Sequence, residues 1–138
     1  LNYREVKKSG EKHLLPLLSD LTNPSSGIGW ANEERMSMRE RGPADAVMAL
    51  ALVHHLVIGN NVPLERVAES FATYGRNLVI EFVPKSDPKV KLLLSSRTDI
   101  FDEYTREGFE AAFSRAYRIR EAEPIRNSER ILYWMEVR

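Results

Sequence analysis

The chain has 138 residues, enough for one domain around one core, and its 43% hydrophobic and 29% charged content is that of an ordinary soluble globular protein. Twenty basic and twenty acidic residues cancel, which leaves no overall electrostatic footprint for nucleic acid or an anionic membrane. The absence of Cys excludes disulfides, thiolate metal sites and cysteine nucleophiles, and it fits a reducing, cytoplasmic setting.

The chain opens on Leu rather than Met, as expected of a sequence trimmed upstream, and its start, LNYREVKKSGEK, is too charged for a signal or transit segment. This stretch predicts the end of a helix and a turn at Ser9 and Gly10. Residues 13–21, HLLPLLSDL, are apolar with an internal Pro, the pattern of an edge strand ending at Asp20. Residues 22–30, TNPSSGIGW, are turn chemistry throughout. Residues 32–41 carry Glu33 and Glu34 early and Arg39 and Arg41 late, the charge order a helix dipole favours, and Gly42 and Pro43 end them.

Residues 45–58, DAVMALALVHHLVI, dominate the sequence. An apolar run without alternation reads as an inner strand of a parallel sheet, here residues 45–53, with His54 and His55 at its carboxyl end. It is too short for a membrane span. Gly59, Asn60, Asn61 and Pro63 then form a loop into a helix over 63–74, where Leu64, Val67, Ala68 and Phe71 fall at helical spacing and Gly75 stops it. Residues 77–83, NLVIEFV, predict a second buried strand with Glu81 near its end. Helices follow over 88–95 and 105–116, the latter capped by Thr105 and presenting Phe109, Ala112 and Phe113 on one face. Residues 117–123 and 130–137 predict an antiparallel strand pair around the turn PIRNS. Strands alternating with helices in this way predict an α/β sheet, mostly parallel, with helices on both faces and a terminal antiparallel pair.

Five stretches carry a resemblance: LLSDL at 17–21, ADAVMALALVHHL at 44–56, LVIEFVPKSDP at 78–88, YTREGFEAAF at 104–113 and SERILYWM at 128–135. Together they resemble the carboxyl-terminal half of a class I, S-adenosylmethionine-dependent methyltransferase, a Rossmann-like fold whose sheet finishes with an antiparallel hairpin. LTNPSSGIGW and HHLVIGNNVPLERVA resemble units of a bacterial group of such methyltransferases, some described as nodulation-related. The family opens with a strand, a glycine-rich turn and a helix that cradle the cofactor, followed by a strand ending in an acid. Neither is present here, since Gly27 and Gly29 follow Pro and Ser in a loop. The chain therefore reads as one partial domain over 1–138 that lacks the amino-terminal cofactor-binding strands, and by itself it is expected to be inactive.

The resemblance implies that S-adenosylmethionine, in the complete protein, meets Asp20, Leu21, Leu50 and Ala51, with the Asp20 carboxylate accepting from the adenine amino group. The plainer reading of Asp20 is an Asx turn toward Asn23 and Pro24. His54 or His55 can serve as general base for an acceptor hydroxyl, because imidazole titrates near neutrality; otherwise one packs in the core and the other borders the pocket. No metal site is expected, since His13 is the only other histidine. Glu81 can orient the acceptor or hold a histidine, completing a catalytic set of His54, His55 and Glu81. Its plainer reading is an ion pair with Arg76, Lys85 or Arg130. Asn60 and Asn61 are first a turn, and Trp30, Phe101 and Tyr104 are candidate acceptor-binding aromatics.

The expected activity is methyl transfer to an O or N of a small or medium acceptor, with neither nucleic acid nor membrane as partner. The alternative is a non-catalytic, partner-binding module on the same fold. In the resembled fold, the strand over 45–53 lies beside a strand missing here. Its open edge is expected to be filled by residues 13–19 or by a second copy in a two-fold homodimer, or else to drive aggregation.

Overall fold

The computed structural model describes residues 2–138. Its elements in chain order are helix α1 (Asn2–Ser9), strand β1 (Ala44–Ala49), a π-helical turn (His55–Gly59), α2 (Leu64–Ala72), β2 (Gly75–Phe82), α3 (Pro88–Leu94), α4 (Arg106–Phe113), β3 (Tyr117–Pro124) and β4 (Ile131–Val137). The strands form one four-stranded sheet in the order β1-β2-β4-β3. β1 and β2 are parallel, with Val47 opposite Leu78 and Ala49 opposite Ile80. β4 is antiparallel to both β2 and β3.

The expectation of a mostly parallel sheet is therefore corrected to a mixed sheet with one parallel pair. The terminal hairpin extends the sheet beyond β2, with β3 as the outer strand. Its second strand, β4, inserts between β2 and β3, so both of β4's ladders run antiparallel. At the start of the parallel pair, a Cβ on Gly75 would stand 2.8 Å from Val47 Cγ2 and 2.9 Å from the Ala44 carbonyl oxygen. Only glycine lets the two backbones approach this closely there.

Alternation builds the core. Leu78, Ile80 and Phe82 of β2 lie opposite Met135, Tyr133 and Ile131 of β4, and all six are buried on one face. α2 covers that face with Leu64, Val67, Ala68 and Phe71, and α4 covers it with Phe109, Ala112 and Phe113. The Phe109 ring lies 5.1 Å from both Phe82 and Tyr133, a spacing at which aromatic pairs add to area burial. Cover on both faces is the second expectation to be corrected. The opposite face leaves Met48 and Trp134 exposed at 68% and 46%.

Three elements differ from the sequence reading. The strand over 45–53 stops at Ala49. Ala51 adopts a positive φ of 49°, and the chain then turns helical, so His54 and His55 stand on a helical segment rather than at a strand end. An unbroken apolar run suits a buried helix as well as a buried strand, and Val53, Leu56 and Val57 bury at helical spacing. Residues 13–19 form no strand and pair with nothing in the sheet, so β1 stands at an edge rather than inside. Pro16 removes a ladder donor from the middle of that stretch. The helix over 32–41 is replaced by a short helical turn at Trp30–Asn32, a bridge between Ile28 and Arg35, and a turn in which Ser37 and Glu40 hydrogen-bond reciprocally. Positive φ at Ala31 and Asn32 blocks helix entry.

Candidate functional site

The carboxyl ends of β1 and β2 are where a parallel pair presents its loops, and three distant stretches are tied together there. After the buried Ala49, the chain exposes Leu50 and turns at Ala51. The Ala51 N–H donates to Glu81 Oε2 at 2.7 Å. The other Glu81 oxygen, Oε1, accepts from Arg130 Nη1 at 3.0 Å, and Arg130 Nε donates to Asp87 Oδ2 at 2.7 Å. Asp87 also caps α3, accepting from the Lys89 N–H at 2.8 Å. The Arg130 hydrogen bond holds the Asp87 carboxyl below its ordinary range despite burial. Ser86 Oγ donates to Glu129, a second link between the loop after β2 and the hairpin.

Of the three partners open to Glu81 in the sequence, the structure selects Arg130. Lys85 is engaged by Asp99 at 2.8 Å. A carboxylate this buried, 7% exposed, needs such a partner.

The two histidines part company. His54 is 2% exposed and its Nδ1 meets no hydrogen-bond partner among the described residues. Burial, with the His55 and Arg130 charges adding to it, pushes its imidazole down to about 4, so His54 is neutral at pH 7. His55 is exposed, with its ring centroid 4.2 Å from that of His54. Asn60 caps this segment through Nδ2, which donates to the His55 carbonyl at 2.7 Å.

The structure thus joins Ala51 to Glu81 by a hydrogen bond, and the charges of Glu81, Asp87 and Arg130 reach His54, which stacks near His55. Asp20 makes no hydrogen bond to these residues among the described ones. It lies in exposed chain rather than at a strand end, and its Oδ1 accepts from the Thr22 N–H at 2.9 Å and from Thr22 Oγ1 at 2.7 Å. This is the Asx turn of the plainer reading. Leu21 is half-buried and lines a cleft of about 340 Å³ with Val47, Ala49, Leu52 and Phe71, which places it beside the end of β1.

Among the aromatics, Tyr104 is buried and its hydroxyl donates to the Val83 carbonyl at 2.9 Å, whereas Trp30 is exposed. Asn61, Phe101 and Tyr104 border a second cleft of about 480 Å³ with Val57 and Ile100. Arg97 organises its rim: Nη2 donates to Asn61 Oδ1 at 2.6 Å, and the guanidinium sits 5.0 Å from the Phe101 ring centroid. Sequence reasoning passed over Arg97 and Asp87. The Asp-Pro step at 87–88, a cap followed by a first-turn Pro, was the signal for Asp87. No signal marked Arg97.

No family model matches the chain, and no solved structure matches it. No helix among the described residues is long and apolar enough to cross a membrane. The chain is similar to the nodulation protein NoeA of Rhizobium meliloti (strain 1021), with 43% identity over 133 residues. Those residues cover 96% of this chain and 28% of that protein, so the chain spans under a third of its relative's length.

Proposed function

We propose that this chain is the carboxyl-terminal part of an S-adenosylmethionine-dependent methyltransferase with a Rossmann-like sheet. It acts on an O or N of a small or medium acceptor in a nodulation-related role. The observation that carries the reading is the arrangement at the carboxyl end of the parallel pair, where Glu81 holds the Ala51 turn and the two histidines follow within four residues, with the Glu81 charge reaching His54. The antiparallel hairpin that finishes the sheet fits the same resemblance.

The residues present fit the cofactor in part. The cleft beside Leu21, Ala49 and Leu52 is apolar and open enough for a flat heteroaromatic ring, and Asp20 offers an acceptor oxygen nearby in sequence. Leu50 and Ala51 are exposed residues at the turn. When bound, the cofactor supplies an electrophilic methyl group, and the protein's task is to hold the acceptor in line with it. The exposed His55 is placed to take the acceptor's proton. The buried, neutral His54 packs behind it, and Glu81 fixes the turn. The balanced charge disfavours nucleic acid as acceptor.

A second reading, a non-catalytic module or homodimer joined through the β1 edge, draws on that bare edge and on the exposed Met48 and Trp134. Calorimetry with S-adenosylhomocysteine on the protein that carries this chain separates the two. The methyltransferase reading expects binding that Asp20→Ala weakens by about 1 to 3 kcal/mol. Absence of binding to the unsubstituted protein favours the module.

A further inference from the structure

We infer that Arg130 is a positioning residue: it holds the turn at Ala51 in its working shape through Glu81, although it lies in the terminal hairpin and touches neither the turn nor the histidines' loop by a direct bond. The inference deepens the methyltransferase reading and rests on it for what the turn contacts.

Three observations carry it. Ala51 sits at a positive φ of 49°, a conformation that a side chain with a Cβ rarely keeps without outside support. Among the described residues that support is one hydrogen bond, from the Ala51 N–H to Glu81 Oε2 at 2.7 Å. The Glu81 side chain is 9% exposed, and a carboxylate so placed needs a partner on its other oxygen to stay aimed at the turn, which Arg130 Nη1 supplies at 3.0 Å.

Arg130 is itself oriented. Its Nε is engaged by Asp87 Oδ2 at 2.7 Å and its backbone N–H by Ser128 Oγ at 2.9 Å, so the guanidinium has little freedom to swing away. A planar fork can serve two carboxylates from fixed directions, whereas an ammonium offers a single point of charge. Replacing a buried ion triad by apolar groups often leaves stability unchanged, so the triad is better explained by the geometry it imposes.

The test is residue-resolved amide exchange by NMR together with calorimetry of S-adenosylhomocysteine, on the protein that carries this chain. Arg130→Ala is expected to speed exchange at Ala51 by about tenfold or more, with the Ile80 and Tyr133 amides of the central ladder unchanged, and to weaken ligand binding by about tenfold. Arg130→Lys should fall between the two. Arg120→Ala, which removes an exposed pair with Glu136, should change neither. Should Arg130→Ala unfold, Glu81→Gln, similar in volume and uncharged, carries the same comparison. Equal exchange at Ala51 in all forms overturns the inference, and so does undiminished ligand binding once the turn has loosened. If the unsubstituted protein ignores S-adenosylhomocysteine, the methyltransferase reading falls, and exchange at Ala51 alone decides whether Arg130 holds the turn.

Discussion

Residues 13–21, with five leucines, and residues 44–58, rich in alanine, valine and leucine, are both apolar, and they end in opposite states. In the first, Leu14, Leu15, Leu17 and Leu18 stand 58%, 66%, 69% and 105% exposed. In the second, Ala49, Val53, Leu56, Val57 and Ile58 are all at 6% or less. The difference lies in the neighbours. Residues 44–49 have β2 to supply a ladder, and residues 53–58 have core on one side and α3 near the other. Residues 13–21 carry a Pro and have no strand beside them. Apolar content drives burial only where backbone groups also find partners, since an unpaired N–H or C=O taken from water cancels much of the gain.

The sharpest way to test that contrast is to damage the buried side. Phe109, fully buried between Phe82, Phe113 and Tyr133, should cost about 3 to 5 kcal/mol when changed to Ala, read from urea melts. A loss below about 1 kcal/mol would mean that the packing of α4 on the sheet is misplaced.

A smaller effect comes from the buried histidine. The folded-state pKa of His54 lies near 4 against an ordinary value of 6.5, so between these values the unfolded chain binds the extra proton. Its contribution is present in full above about pH 6.5 and is lost as pH falls toward 4, an effect on the order of 1 to 3 kcal/mol. Carboxylates such as Asp87 lose their contribution at lower pH, so the difference between the unsubstituted protein and His54→Gln isolates the histidine. Parallel stability profiles for the two from pH 7 to 4.5 would place His54 in solvent.

The smallest effect lies on the other side of the comparison. Leu17→Ser and Leu18→Ser should shift stability by less than about 0.5 kcal/mol. A cost above about 1 kcal/mol in the intact protein would show that residues 13–21 pack against something outside this chain.

The boundaries of α2, β2, α3, β3 and β4 are legible to within one or two residues because clear periodicity comes with punctuation: Asp87 and Pro88 before α3, the PIRNS turn between β3 and β4. Gly75, expected to stop α2, instead opens β2, and Thr73 caps the helix. What sequence could not give was decided by long-range contacts. The break after Ala49 depends on a carboxylate 30 residues away that captures one N–H. The place of β4 between β2 and β3 depends on which strand has the better-matched apolar face, and hairpin sequence is silent on that. Glu81 was marked as a site residue from its position near a strand end, and Arg130 stood only as one of three cations able to pair with it. Asp87 was hidden as a helix cap, a role it fills at the same time.

The bond from Arg130 to Glu81 has a consequence for the order of folding. It spans 49 residues, its companion to Asp87 spans 43, and the bond from Glu81 to Ala51 spans 30. Closures of this length are reached late, after local helices and the nearer β1–β2 pairing have formed. On a ribosome the turn at Ala51 leaves the exit tunnel far ahead of the residue that fixes it, so a nascent chain carries β1 and β2 while its site is still unset. A chain cut before Arg130 would therefore carry β1 and β2 without the guanidinium that faces Glu81.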